Sequence, residues 1–443
     1  MKLLHIFSKT RGLRSLLSRI GTVYSRFGFS SKKFQRILNQ YCSLTQELGC
    51  RPTFSLTAVI LKRHPELIRE IRKYGVEFAI HGYIHTDHGV MSYPEQKKHF
   101  SRAIKVFNRF EIPFTGFRAP YLRINDNTFQ AITDLDFPYD SSNSVNWDVV
   151  DSTELTEEAR REYQRVLDYY SCPSAQKTLV LPRIINNFIE IPVSMPDDEI
   201  MMERLGITDL KKMTKIWGAV LQNSYASGEL FTIQLHPERI SYFEKTLANI
   251  INDSKKYNPP VWLATLGEIS DWWRERGDFQ FKIESDSDGK YKIKAECSER
   301  ATILVKNAGV NIPVKEWFGG YQTVNSRDFV LESTGRPTIG VKPDSSPEAV
   351  QLLRNEGYIV ELGERSNDYA VYLDDLEHFD KADEKALSNK IEQLDAPLIR
   401  YWRWPAQARS AVSVTGDIDS ITLADFILRI FETLFTPKET PKS

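Results

Sequence analysis

The stretch Gly75–Gly89, GVEFAIHGYIHTDHG, decides how the rest of this sequence is read. Three of the eight histidines, His81, His85 and His88, fall here. They follow the short apolar run Val76–Ile80, which reads as a buried strand leading into a glycine-punctuated loop. A strand that delivers imidazoles from its C-terminal end is how an α/β barrel builds a metal site. Two histidines four positions apart can share one divalent ion. The plainer reading is a polar turn that happens to be rich in histidine.

Working outward, helix and strand patterns alternate on both sides. Ser31–Leu48 carries an amphipathic stripe through Phe34, Leu38, Tyr41 and Leu48, and Arg51-Pro52 breaks it. Thr53–Ile60 is strand-like, and Pro65–Tyr74 is a short helix stopped at Gly75. Tyr93–Phe110 reads as a long helix, Phe114–Pro120 as a strand, Asn127–Leu135 as a helix and Phe137–Ser142 as a strand end. Further strands are expected at Phe188–Val193, Leu230–Leu235 and Val261–Leu266. This is the pattern of a parallel α/β fold, and a closed barrel suits the strand count.

After Arg276-Gly277 the texture changes. Phe279–Ile283 and Tyr291–Ala295 alternate about a turn at Ser285–Gly289, an antiparallel hairpin, and Ala301–Val305 is expected to continue the same small β module. Asp286-Ser287-Asp288-Gly289 lacks the later ligands and closing glutamate of a calcium loop and is read as a turn. Thr338–Val341, Ser346–Asn355 and Tyr358–Leu362 make a β-α-β piece, with Ser346 as N-cap, Pro347 at the first helical position and Gly357 beyond the end. The last β-α unit is the unexpected one. Ala411–Val414 is a strand, Thr415–Asp419 a loop with two carboxylates, and Leu423–Leu434 a helix. The N-terminal part opens with a helix and no strand before it, and this unit has the form of the missing first strand. The expected division is 1–276 for the body of the barrel, 277–335 for a small β module, 336–398 for an α/β insert and 399–443 for the returning strand and helix.

Composition excludes some classes. Hydrophobic residues at 41% and charged residues at 26% describe a globular protein with ample core, and a net charge of -1 gives no reason to expect nucleic acid. The four cysteines have no CxxC spacing and read as buried thiols. Basic residues interrupt every apolar run of the opening MKLLHIFSKTRGLRSLLSRIG, so the expectation is a cytoplasmic protein. No uncharged stretch reaches membrane-spanning length, although the basic amphipathic start suits a membrane surface.

The region Pro52–Arg276 resembles the polysaccharide deacetylase (NodB-homology, carbohydrate esterase family four) domain. The resemblance rests on His81 and His85, on Arg118-Ala119-Pro120-Tyr121, on Leu235-His236 and on FPYDSS at Phe137–Ser142, in that order and at strand ends. The family's aspartate motif is absent from the N-terminal region, and the Asp-x-Asp at a strand end is Asp417/Asp419. A circularly permuted, deformed (β/α) barrel of the NodB type is therefore expected.

The resemblance implies that Asp419, His81 and His85 hold a divalent metal. Two His and a carboxylate suit zinc, and also iron, cobalt, nickel or manganese. It implies Asp417 as general base, Arg118 as the residue fixing it, the Tyr121 backbone N–H as an oxyanion donor and His236 as the acid for the leaving amine. Pro120, Asp140 and Trp147 are the expected substrate contacts. Each has a plainer reading: Arg118 at a surface strand exit, His236 in a loop, Asp417 and Asp419 favouring a helix start. His88 is expected to face solvent, Trp272-Trp273 to pack in the core, and Asp197 and Asp198 are weaker substrate candidates. The expected activity is removal of an N-acetyl group from a sugar or glycan precursor, nucleotide-linked or lipid-linked. The alternatives are hydrolysis of another amide, imide or O-acetyl ester, or a glycan-binding pseudoenzyme.

Overall fold

The structure is a computed structural model that describes residues 26–287 and 289–434. The basic amphipathic start of the chain lies outside that range.

The helix Ser31–Glu47 buries Phe34, Leu38, Tyr41 and Cys42, the apolar stripe of its sequence. Pro65 opens the helix Pro65–Ile71, and the chain turns off at Gly75 with φ 70°, a left-handed angle that glycine takes without strain. It then enters the strand Glu77–Ile80, which runs parallel to Thr53–Leu56 with Ile80 opposite Leu56.

The centre of this sheet is the strand Ser410–Ile418. It lies between Thr53–Leu56 and Leu230–Gln234, parallel to both, with Asp417 opposite Ser55 and Thr415 opposite Gln234. Its first residues also pair with Val261–Leu263. Every residue is buried, as in a strand covered on both faces. The sequence reading ended this strand at Val414. Leu230–Gln234 pairs with it as far as Thr415 and Thr53–Leu56 carries the ladder on to Ile418, which puts Asp417 on the strand and Asp419 just past it.

On the other side, Ile80 bridges Phe117, Phe117 bridges Asp140, and Tyr139–Asp140 pairs with Phe188–Glu190, all in parallel. The strands expected at Phe114–Pro120 and Phe137–Ser142 are thus a single bridge and a two-residue strand. Phe188–Val193 is interrupted where Pro192 offers no N–H to a ladder, and pairing resumes at Val193–Met195. Val193–Met195 stands beside Leu230–Gln234, joined by the Thr232 N–H donating to Ser194 Oγ at 3.3 Å. Because the strands are parallel, their C-terminal ends, and the loops that follow them, share one end of an α/β core.

The remaining units cover the opposite end and side. Gln280–Ser287 and Lys290–Glu296 form the expected hairpin, joined by Asp328–Glu332. Ile303–Lys306 packs on this hairpin but is not paired with it. That strand lies in a second sheet between Tyr321–Val324 and Leu398–Tyr401, and Ile293, Val305, Leu331 and Ile399 make one core between the two sheets. Leu398–Tyr401, where the sequence reading set the boundary between the insert and the returning segment, is therefore paired here. Ile339–Val341 lies between Val360–Leu362 and Val371–Leu373, parallel to both, and Ser346 caps the helix Pro347–Asn355. This piece is tied to the core by Glu356. Its Oε1 accepts from Arg403 Nε at 2.9 Å, while Arg403 Nη1 donates to the Ser227 carbonyl at 2.6 Å.

Candidate metal and acyl-transfer site

His81 follows the strand Glu77–Ile80 directly, and Gly82, with φ 79°, turns the loop back so that His85 returns beside it. A side chain at Gly82 would press on the Ile84 carbonyl and the His99 ring at 3.0 Å. His81 Nδ1 lies 2.8 Å from the Arg118 carbonyl, which can only accept, so Nδ1 carries a proton and Nε2 is the nitrogen the neutral ring offers to a ligand. That Nε2 is 3.3 Å from Asp419 Oδ1, and His85 Nε2 is 3.1 Å from Asp419 Oδ2. One ligand atom from each of His81, His85 and Asp419 falls within 4.8 Å of the other two. Asp419 Oδ1 is buried without a hydrogen-bond partner, the mark of a carboxylate set to ligate. Two imidazole nitrogens and a carboxylate oxygen fit a divalent ion.

Burial lowers His85 to about 4 against the pull of Asp419, so its ring is neutral, as a ligand must be. At His81 burial works the same way, but Asp417 and Asp419 outweigh it and raise the imidazole. Burial would raise Asp419, yet the two histidines hold it well below the carboxylate range. Arg429, from the helix Leu423–Leu434, donates to Asp419 Oδ2 at 2.9 Å. The sequence reading did not find this residue.

Asp417 is held from two sides. Arg118 is fully buried, and its Nη1 is 3.4 Å from Asp417 Oδ1. Gln234 Nε2 donates to Asp417 Oδ2 at 2.8 Å. Arg118 is itself fixed: Nη1 donates to Thr415 Oγ1 at 2.8 Å, Nε to the Ser141 carbonyl at 2.9 Å and Nη2 to Ser141 Oγ at 2.9 Å. Asp417 Oδ2 lies 3.8 Å from His81 Nε2, beside the ligand set. Gly416 permits this approach, since a Cβ there would sit 2.4 Å from the Leu235 carbonyl oxygen.

His236 stands at the end of Leu230–Gln234. Its Nδ1 is 2.9 Å from Asp198 Oδ1, and its backbone N–H donates to Asp198 Oδ2 at 3.2 Å. Arg239 Nη1 also donates to Asp198, at 3.1 Å. Burial would lower His236, but Asp198 raises it well above 6.5. Asp198, a weak substrate candidate in sequence, is thus the partner that orients and charges His236. Asp197 instead accepts from the Ile200 N–H at 2.7 Å and caps the next turn.

Tyr121 has a left-handed φ of 61°, is 37% exposed and meets the His85 ring edge-on at 4.4 Å between centroids. Pro120 beside it is buried. Asp140 and Trp147, expected to touch substrate, are both turned inward. Asp140 accepts from Ser142 Oγ at 2.5 Å, and Ser142 Oγ accepts from the Ala119 N–H at 2.8 Å, so it braces the arginine loop. Burial raises that carboxyl to about 7. Trp147 Nε1 donates to Ser194 Oγ at 2.9 Å within the core. His88, expected in solvent, is fully buried and stacks on Phe100 at 5.3 Å. Burial holds its imidazole well below 6.5.

Residues 27–139 match the family model described as polysaccharide deacetylase. That span holds the His81/His85 loop and the arginine loop. Among solved structures, the chain is similar to a polysaccharide-deacetylase-type protein of Mycobacterium smegmatis, at 20% identity over 54% of this chain and 77% of that one, with a TM-score of 0.41. It is similar to another such protein from Pseudomonas aeruginosa PAO1, at 19% identity over 54% and 72%, with a TM-score of 0.40. It is also similar to the allantoinase Puue, at 18% identity over 54% and 72%, with a TM-score of 0.42. No curated protein matches the chain.

Proposed function

We propose that this protein is a metal-dependent hydrolase that removes N-acetyl groups from an N-acetylated sugar or glycan precursor. We also infer that its core is a deformed (β/α) barrel of the NodB type, circularly permuted, with Ser410–Ile418 standing where that domain has its first strand. The observation that carries the reading is the meeting of Asp419 with His81 and His85 at 3.3 and 3.1 Å, beside an Asp417 held by Arg118.

A divalent ion bound by His81, His85 and Asp419, zinc by the donor set, would polarise the acyl carbonyl and acidify a water. The chain supplies the rest. Asp417 accepts the proton of the attacking water, and the Arg118 and Gln234 donors keep its carboxylate aimed. The Tyr121 N–H is the candidate donor to the developing oxyanion, a contribution of about 3 kcal/mol for one such donor in other enzymes. His236, held cationic by Asp198, protonates the departing sugar nitrogen. The C–O bond forms first, with charge moving to the carbonyl oxygen, and the C–N bond then breaks as that adduct collapses, giving acetate and an amine. Water exposure of Tyr121 beside His85 marks where the acyl group enters.

Metal content and acetate release test this together. The wild type should hold about one ion per chain and release acetate from N-acetylated sugars. Asp419→Asn and His81→Ala should lose the ion, each by at least the ~10–100-fold in affinity that outer-shell changes cost. Equal metal content in wild type and Asp419→Asn would overturn the site. A chain that holds metal and sugar but releases no acetate would be a glycan-binding pseudoenzyme, and cleavage of esters or imides alone would move the reaction to the alternative class.

A further inference from the structure

The helix Leu423–Leu434 faces the wrong way for a surface helix of a water-soluble protein. Its inward side carries charges beside Phe426, the ring it packs on the core. Asp425 accepts from His64 at 2.8 Å, Glu432 pairs with Arg63, and Arg429 reaches Asp419. Its outward side is apolar: Ala424, Ile427, Leu428 and Ile430 are all exposed, the last three between 43% and 45%. An amphipathic surface helix ordinarily turns its apolar stripe to the core and its charges to water. An apolar face left outward marks a surface that something covers.

Charge indicates what covers it. Residues 1–25 carry five Lys or Arg and no Asp or Glu, and Lys438 and Lys442 follow the helix with one Glu between them. The chain enters the described region against this same helix. The Phe27 and Phe426 rings stack at 5.8 Å between centroids, the Leu423 N–H donates to the Gly28 carbonyl at 2.8 Å, and Phe29 beside it is 77% exposed. An apolar helix face flanked by basic segments is the composition that settles into the interface of an anionic bilayer. Among the described residues no helix is long and apolar enough to cross one.

We propose that Leu423–Leu434 docks this protein on an anionic lipid surface, with its apolar face in the headgroup and acyl boundary and the basic segments against the lipid charge. Arg429 ties the same helix to Asp419, so docking sets the metal-ligand residues about one helix diameter, ~10 Å, from the surface. That placement favours an amphiphilic, lipid-linked substrate, a corollary that rests on the deacetylase reading. The docking itself does not.

Sedimentation of the full-length protein with vesicles tests the docking without any activity readout. Binding is expected to vesicles of phosphatidylcholine with about a third phosphatidylglycerol, to weaken in high salt, and to be slight with phosphatidylcholine alone. Leu428→Glu/Ile430→Glu should reduce binding at least tenfold with an unchanged melting temperature, and reversing the charge of Lys9, Arg11 and Arg14 should reduce it independently. No binding by the wild type, or equal binding by the Leu428→Glu/Ile430→Glu variant, would overturn the proposal. A wild type that ignores vesicles and sediments as a dimer, made monomeric by the same variant, would assign the face to a second copy and equally overturn it.

Discussion

Arg118 Nη1 lies 3.4 Å from Asp417 Oδ1, across 299 residues of chain. The same guanidinium is held by Ser141, Thr415 and Gln234, so its position does not depend on Asp417 alone. A lysine keeps the charge but cannot span these partners, because its single ammonium lacks the planar fork. Arg118→Lys should lower kcat by about 10²-fold, the lower range for a misplaced general base, with metal content unchanged. Steady-state kinetics beside metal analysis checks this. A parallel fall in bound metal would assign Arg118 to the fold of the site instead.

The His236–Asp198 pair sets the alkaline side of the pH profile. Burial favours neutral His236, and Asp198 overcomes it and raises the imidazole well above 6.5. The acid form, and the stability the pair contributes, is fully present below the unfolded value of about 6.5 and is lost as pH rises through the folded value. Asp198→Asn removes the charge that raises it. The alkaline limb of kcat/KM should therefore move to lower pH while the acid limb stays. A limb that does not move would remove His236 from the proton transfer.

Gly416 is a packing requirement within the returning strand. A Cβ would lie 2.4 Å from the Leu235 carbonyl, a backbone atom that cannot swing away as a side chain can. Gly416→Ala should cost about 1–3 kcal/mol, the range for overpacking, and should displace Asp417 and His236 together because each is a chain neighbour of the crowded atoms. Urea denaturation measures the first effect, and loss of activity at full occupancy of the metal the second.

Glu356 joins the α/β insert to the core through buried Arg403 and Arg400. Burial opposes its ionisation, but the two arginines hold it at about 2. Its contribution to stability is present above the unfolded value of about 4.5 and is lost as pH falls toward 2. Glu356→Gln leaves both guanidinium groups without their buried counter-charge and should cost about 3–5 kcal/mol at pH 7. It should also flatten the fall in melting temperature between pH 4.5 and 2, which calorimetry would show.

The residues that carry their chemistry in their own type, at the ends of strands, were legible in the sequence: His81, His85, Arg118, His236, Asp417 and Asp419. Partners chosen by the tertiary register were not. Gln234 and Thr415 are ordinary strand residues until their two strands are set side by side. Asp198 sits next to Asp197 with nothing local to say that one turns to His236 and the other caps a turn. Arg429 looks like a surface charge on an amphipathic helix, and only the inverted orientation of that helix brings it to Asp419. Asp140 and Trp147 were misplaced for a related reason. A polar or aromatic residue at a strand end can point outward or brace the loop beside it, and the Ser142 and Ser194 hydroxyls that draw them inward lie beyond any periodic signal. Strand limits followed the same logic, since Ser410–Ile418 is as long as its neighbours make it.

The place of that strand also orders events during synthesis. Ribosomes deliver Thr53–Leu56 and Leu230–Gln234 long before the strand that belongs between them, so two sheet edges stay open until Ser410–Ile418 emerges. The β module and the insert are made in that interval and can fold while the core waits. A chain broken off anywhere before Ser410 would lack the middle of its sheet and both site carboxylates at once. Completion of the fold and arming of the site are therefore one event.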